Sequence, residues 1–310
     1  MAKQKILSTS VCAAGLIFAA ATFPAWAAAP QSVPAYKVTA PNGKSNILIG
    51  TMHVWHPDLL QPSAEIMAGA RQLVQEHTTD NEKADGFSDE SRLGLKIGKP
   101  VRSNWAQTIS EAEVAEISKR LSCINPAYGS PETVTTFLQL KTPRILVNVA
   151  WSPCDIAGGQ SRDEIVTGYA KAANVPLVYL ETQAEVAVQR NKVPVPTYAA
   201  SLQAGLKIDP NAVIAQTAQL MNAGDYAKIM EIERTSAPTK AMWNSFERPM
   251  IIERNHKWLP KLRALFDQGH TVAMVGAGHL PGPKGLVSLL RGAGYKVEVQ
   301  ALPAATKAAD

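Results

Sequence analysis

Between Tyr36 and Val299 the chain alternates short apolar runs with longer amphipathic stretches, a rhythm that predicts strands separated by helices. Tyr36 to Ala40 and Ser45 to Ile49 are strand-length runs flanking Pro41-Asn42-Gly43-Lys44, and Asn-Gly between two such runs predicts a hairpin. After Pro62, the positions Ile66, Met67, Ala70, Leu73 and Val74 share one helical face. Ser110 with Glu113, and Ser161 with Glu164, have the spacing of a capping box and predict two helix starts. Asp209-Pro210 opens another helix, which Gly224 ends. Further strands are expected at Arg144 to Val149, Pro176 to Leu180, Thr271 to Val275 and Lys296 to Gln300. Ile252, Asn255, Leu259, Leu262 and Phe266 keep helical spacing around Pro260, which predicts a kink or break. Strands alternating with helices imply an α/β domain, a central sheet with helices packed around it.

The first 29 residues do not share that rhythm. Lys3 and Lys5 precede an apolar run from Ile6 to Ala21, followed by small residues around Ala25-Trp26-Ala27, the pattern of an export signal. Cleavage after Ala27 leaves residues 28–310 as one domain with an Ala-rich tail beyond Pro303, placed in the periplasm or outside the cell. Ser8, Thr9, Ser10 and Thr22 interrupt a stretch already short for a bilayer span, and no later segment reaches 18 consecutive apolar residues. A stable membrane span in the mature chain is therefore not expected. With 46% hydrophobic and 18% charged positions the composition is globular, which excludes a disordered or collagen-like chain. The formal charge of +5 loses Lys3 and Lys5 with the signal, and the remaining small excess gives no reason to expect a nucleic-acid partner. Of the three cysteines Cys12 leaves as well. Cys123 and Cys154 either pair in an oxidising compartment or sit as two buried thiols.

An internal repeat carries the candidate chemistry. Ile47-Leu48-Ile49 runs into Gly50-Thr51-Met52-His53, and Ala273-Met274-Val275 runs into Gly276-Ala277-Gly278-His279. Two pseudo-repeated halves would thus each present a Gly-x-x-His motif at a strand end, where open α/β sheets place ligands. Glycine there permits a sharp turn or a close approach of backbone. Leu73-Val74-Gln75 leads likewise to Glu76, and Leu177-Val178-Tyr179-Leu180 to Glu181. Imidazole nitrogen with carboxylate oxygen suits a divalent Zn, Mn, Co or Fe ion. A strand-terminal glutamate can equally cap the next helix or pair with an arginine, and Arg254 offers a guanidinium for such a pair, for a substrate carboxylate or for an oxyanion. His56, three residues after His53, falls in a loop beside Pro57, and His77 follows Glu76; both are weaker candidates. The sequence has no H-E-x-x-H helix, G-x-S-x-G elbow or phosphate-binding P-loop. Gly276-Ala277-Gly278-His279-Leu280-Pro281-Gly282 imitates a dinucleotide turn, but its third glycine is one residue late and no further βαβ units follow.

From Tyr36 to Val299 the chain resembles the TraB/GumN family, which is similar to the TIKI metalloproteases and more distantly to erythromycin-esterase-like and haem-binding ChaN-like proteins. The resemblance lies in Leu48-Ile49-Gly50-Thr51-Met52-His53-Val54, in Leu180-Glu181-Thr182, in Arg254-Asn255, and in Val275 to Leu286 with Gly294-Tyr295-Lys296-Val297. It implies a site built from His53, Glu76, Glu181, Arg254 and His279. Where the family places a second acidic residue near Glu76, this chain has His77-Thr78-Thr79 before Asp80, so the ligand set and the metal stay open. The implied function is an exported metal-dependent hydrolase of a peptide or small-molecule substrate. His53, His279, Glu76 and Glu181 would supply the metal ligands, a glutamate the general base, and Arg254 stabilisation of the intermediate. A metal-free His/Glu hydrolase, and a protein that binds haem, a metal or a peptide without chemistry, are the alternatives.

Overall fold

The computed structural model describes residues 31–77, 101–154 and 158–306. The signal expected over residues 1–27, Asp80 and the end of the Ala-rich tail lie outside the described residues. Six strands are present: β1 (Ser32–Thr39), β2 (Ser45–Thr51), β3 (Gln72–Gln75), β4 (Leu177–Tyr179), β5 (Thr271–Gly276) and β6 (Lys296–Pro303). They form one mixed sheet in the order β4-β3-β5-β2-β1-β6, the α/β architecture expected. β1 and β2 are the antiparallel hairpin, with Tyr36 opposite Leu48. Gly43 takes φ +83° in its turn, a left-handed conformation that favours glycine. β2, β5, β3 and β4 run parallel to one another, so their carboxyl ends share one edge of the sheet.

Side chains alternate across the strands and build two cores. Leu48, Val74, Ala273 and Val275 pack with Trp258, Leu262 and Phe266 of the helix Glu253–Phe266 on one face. Their neighbours Ile49, Leu73, Val272 and Met274 pack on the other face with Val166 and Ala170 of the helix Arg162–Ala172. Each such fully buried aliphatic side chain contributes about 1.5–3 kcal/mol relative to exposure. Between β3 and β4 the chain adds a helical body with a third core of its own, in which Ile117, Leu121, Phe137 and Leu146 meet Leu202 of the later helix Val195–Gly205. Buried Arg120 binds this body together by donating to the carbonyls of Gly205 (3.0 Å) and Ile208 (2.9 Å). Cys123 and Cys154 are joined by a disulfide, with Cα atoms 5.0 Å apart. Among the described residues no helix is long and apolar enough to cross a membrane.

Both capping boxes form, at Ser110 with Glu113 and at Ser161 with Glu164, and the helix Pro210–Ala223 ends at left-handed Gly224. Three expectations need correction. Arg144 to Val149 is not a strand but part of a helix, Arg144–Trp151, whose buried residues Leu146, Val149 and Ala150 keep helical spacing. A six-residue apolar run is too short for its period to decide between the two. The helix expected after Pro62 is a single turn, Ala64–Met67, after which Leu73 and Val74 enter β3 and face opposite cores. Pro260 does not break its helix, which continues from Glu253 to Phe266. Pro260 is exposed there, and so is His256, whose carbonyl loses its helical partner and can turn to water. The irregularity lies upstream instead, in a π-helical turn at Arg248–Ile252.

The disulfide closes a loop with a sequence separation of 31 residues. Replacing both cysteines by serine lowers the unfolding free energy by about 3 to 4 kcal/mol on the chain-entropy model. Urea unfolding of the variant and the wild type without reductant measures this, and coincident curves would contradict it.

Candidate functional site

All five residues singled out in the sequence lie at the carboxyl edge of the four parallel strands. His53 follows β2, Glu76 follows β3, Glu181 follows β4, and His279 ends the short turn Ala277–His279 that leaves β5. The two Gly-x-x-His segments leave neighbouring strands one residue out of step, with Thr51 opposite Gly276. Glu181 is fixed by the ladder, its N–H donating to the Glu76 carbonyl at 2.9 Å. It is fixed again by the helix that starts next to it, where Thr182 and Glu185 form a capping box.

Arg254 enters from the helix layer and uses all five of its N–H groups. Nε donates to Glu181 Oε1 at 2.8 Å, and Nη2 to Glu181 Oε1 at 2.6 Å and Glu76 Oε2 at 2.7 Å. Nη1 donates to the Met250 carbonyl at 3.1 Å and faces His279 Nε2 at 3.1 Å. Its guanidinium also lies 4.5 Å from the centre of the Trp258 ring, which in turn packs 4.4 Å from the ring of His279. No N–H of Arg254 is left for a substrate. Its observed role is to hold two buried carboxylates and an imidazole in one geometry.

Hydrogen bonds also settle the tautomer of His279. The Asn255 amide donates through Nδ2 to the carbonyls of His279 (3.1 Å) and Lys284 (2.9 Å), so its Oδ1 must accept from His279 Nδ1 at 2.7 Å. Nε2 is therefore the lone-pair nitrogen, as it must be beside Arg254, which can only donate. Burial pushes the pKa of His279 down to about 3; the Arg254 charge acts the same way, and Glu76 only partly opposes them. For Glu76 burial works toward a neutral acid, but the facing positive charges and the Gly276 N–H, which donates to Oε1 at 2.6 Å, hold it well below the usual carboxylate range.

His53 is the outermost of the five, with 63% of its side chain open to solvent. Its Nδ1 lies 3.3 Å from Asp163 Oδ2, leaving Nε2 as the nitrogen that faces inward. Atoms crowded around the cavity mouth lower its basicity even though the ring is open to solvent on one side, and the Asp163 and Glu76 carboxylates outweigh that, so its pKa rises. At this exposure the pair orients the ring more than it adds stability. The neighbouring Arg162 is fully buried and donates to the carbonyls of Gly50 (2.8 Å) and Leu60 (2.6 Å), which anchors the end of β2 and the helix carrying Asp163.

Gly276 leaves the space that these groups share. A Cβ there would lie 3.2 Å from both Glu76 Oε1 and His53 Nε2 and 3.7 Å from His279 Cδ2. Gly278 does the same for Glu233, whose carboxylate oxygens would lie 3.0 and 3.2 Å from a Cβ at that position. Above them opens a cavity of about 1020 Å³, walled by apolar residues such as Ile214, Ile232, Trp243 and Phe246 and by Trp151 and Tyr198 of the helical body. Among the described residues, no three or more His, Cys, Asp or Glu side chains are grouped as a metal would need. His56 lies apart, its Nδ1 accepting from the Asp58 N–H at 3.2 Å, and His77 Nδ1 is 2.7 Å from Gln183 Nε2. Asp163, Arg162, Asn255 and Glu233 were not expected as site residues. Asn255 at least adjoins Arg254 in the sequence, whereas the others sit on helices with no local signal.

An α/β sheet with buried charged groups at the carboxyl ends of its parallel strands defines a pocket-bearing protein of the strand-edge class. The model of the TraB/PrgY/gumN family matches residues 34–299, and the chain belongs to that family. No curated protein and no solved structure matches it.

Replacing Arg254 by Leu leaves Glu76 and Glu181 buried without a counter-charge and lowers stability by about 3 to 5 kcal/mol. Chemical unfolding of that variant measures the loss. Wild-type stability would show that the guanidinium is not what holds the site.

Proposed function

We propose that this protein is an exported metal-dependent hydrolase that cleaves an amide or peptide bond in the cavity above Gly276. The observation that carries this reading is the orientation of the two imidazoles. Each has Nδ1 tied to a neighbour, Asp163 for His53 and Asn255 for His279; His53 Nε2 borders the space left open by Gly276, and His279 Nε2 lies 3.8 Å from Glu76 Oε1 with Arg254 against it. Outer partners that fix ring orientation in this way are the usual companions of metal-binding histidines. As they stand these side chains are not grouped as a metal needs; His53, His279 and Glu76 would hold a Zn, Mn, Co or Fe cation after His279 Nε2 left Arg254 for the ion. The single Nε2 lone pair of His279 serves either Arg254 or the ion. Such an ion supplies polarisation of a carbonyl and activation of water at neutral pH.

The chain's own residues do the rest. Arg254 and Glu181 lock the orientation of Glu76, and Asp163 raises the basicity of His53. The apolar walls bury a substrate and exclude bulk water, which strengthens every charge interaction within the cavity. Export is supported by the Lys3 to Ala27 pattern and by the Cys123–Cys154 disulfide, a bond that persists in oxidising compartments.

A second reading keeps hydrolysis without metal, and the His53–Asp163 pair favours it, since an imidazole oriented by a carboxylate is the arrangement of a general base.

Elemental analysis of protein purified without chelator divides the two readings. Metal-dependent turnover is expected to vanish, together with metal retention, in His279→Ala, and to fall about 10- to 100-fold in Asp163→Asn. A folded His279→Ala protein with full turnover overturns the metal reading, and undiminished turnover by metal-free wild type transfers the role to His53.

A further inference from the structure

Resting on the metal-dependent hydrolase reading, in which His53 serves as a ligand, one step is still without a residue. Amide hydrolysis needs a group that takes a proton from water and delivers one to the departing nitrogen. Glu76 and Glu181 are poorly placed for this, because Arg254 donates to both and the Gly276 N–H occupies the remaining oxygen of Glu76. The other Glu181 oxygen is buried away from the cavity, and Glu181 does not border that space. His279 presents its only lone pair to Arg254.

Glu233 differs on each count. It lies on the helix Tyr226–Arg234, across the cavity floor from Glu76, and with Glu76 it is the only carboxylate that lines the cavity among the described residues. It makes no salt bridge there; the nearest cation in sequence, Arg234, is directed at Glu247 instead. Both of its oxygens approach Gly278, where any side chain would intrude. The groups facing it are Met230 from its own helix, His53 from the end of β2, and the Ala277–His279 turn.

We propose that Glu233 is the proton-transfer residue of this site. Its carboxylate accepts a proton from water as the water oxygen bonds to the carbonyl carbon and the C=O π pair moves onto the carbonyl oxygen. The carboxylic acid so formed returns that proton to the amide nitrogen. The C–N bond then breaks with its electron pair on nitrogen, the C=O bond reforms, and Glu233 is again ionised beside a carboxylic acid and an amine. Burial raises the Glu233 pKa, with the His53 charge opposing, so this carboxyl holds a proton more readily than an exposed glutamate.

The test is Glu233→Gln in the full-length protein as purified, with a panel of peptide and arylamide substrates. The expected result is a fall in kcat of about 100-fold or more with KM within about twofold, and partial recovery in Glu233→Asp. Metal content and melting temperature, measured alongside, stay at wild-type values. Unchanged turnover in Glu233→Gln overturns the proposal while leaving the hydrolase reading intact. A wild type that turns over no substrate overturns the hydrolase reading itself and this role with it.

Discussion

A guanidinium removed from water must be surrounded, and Arg254 is surrounded by the ends of three strands. Glu76 closes β3, Glu181 follows β4 and His279 belongs to the turn after β5, so one side chain from the helix layer fixes where each strand may end. Taking such charges out of water costs several kcal/mol per ion unless their hydrogen bonds are complete. On Arg254 they are complete, while Glu181 keeps one buried oxygen without a partner. The π-helical turn at Arg248–Ile252 lies just before Arg254 in the chain, and its central Met250 carbonyl accepts from the guanidinium. Helical irregularities of this kind recur at functional sites.

That constraint divides the carboxylates by role. Glu181 is enclosed and serves Arg254. Glu76 shares itself between Arg254, the Gly276 N–H and the open space. Glu233 stands on another helix and contributes no bond to this network, so its proton affinity is governed by burial. Three residues of one type thus acquire three chemical characters from their surroundings alone. Gly276 and Gly278 matter for a related reason: each lets a polar group approach the backbone where a methyl group would stand.

Much of this was legible in the sequence where the determining chemistry is local. Asn42-Gly43 needs only its own left-handed turn, and the Ser110 and Ser161 caps need only a glutamate three residues on. The strand ends at His53, Glu76, Glu181 and His279 were visible as apolar runs meeting a polar residue, and the sheet brings all four together. Arg144 to Val149 was misread because its valines and isoleucine favour strands in isolation, whereas its buried stripe is set by a helical body that only tertiary structure reveals. Leu73 and Val74 look helical beside Ile66 and Met67, and only their opposite-facing burial separates them. Asp163 and Glu233 could not be read at all, since what places them beside His53 and Gly278 is the packing of helices distant in the chain.

The helical body between β3 and β4 has a division of labour along single helices. In Arg144–Trp151, Leu146, Val149 and Ala150 face that body's own core, while Asn148 and Trp151 line the cavity. Tyr198 lines it too, from the helix whose Leu202 is buried in the same core. The cavity wall is therefore supported by a core separate from the one that positions the charged groups at the strand ends. Exchanges at Asn148, Trp151 or Tyr198 can reshape the cavity wall without disturbing the contacts of Arg254. On the proposed hydrolase reading, substrate preference can drift while the charged cluster around Arg254 stays in place.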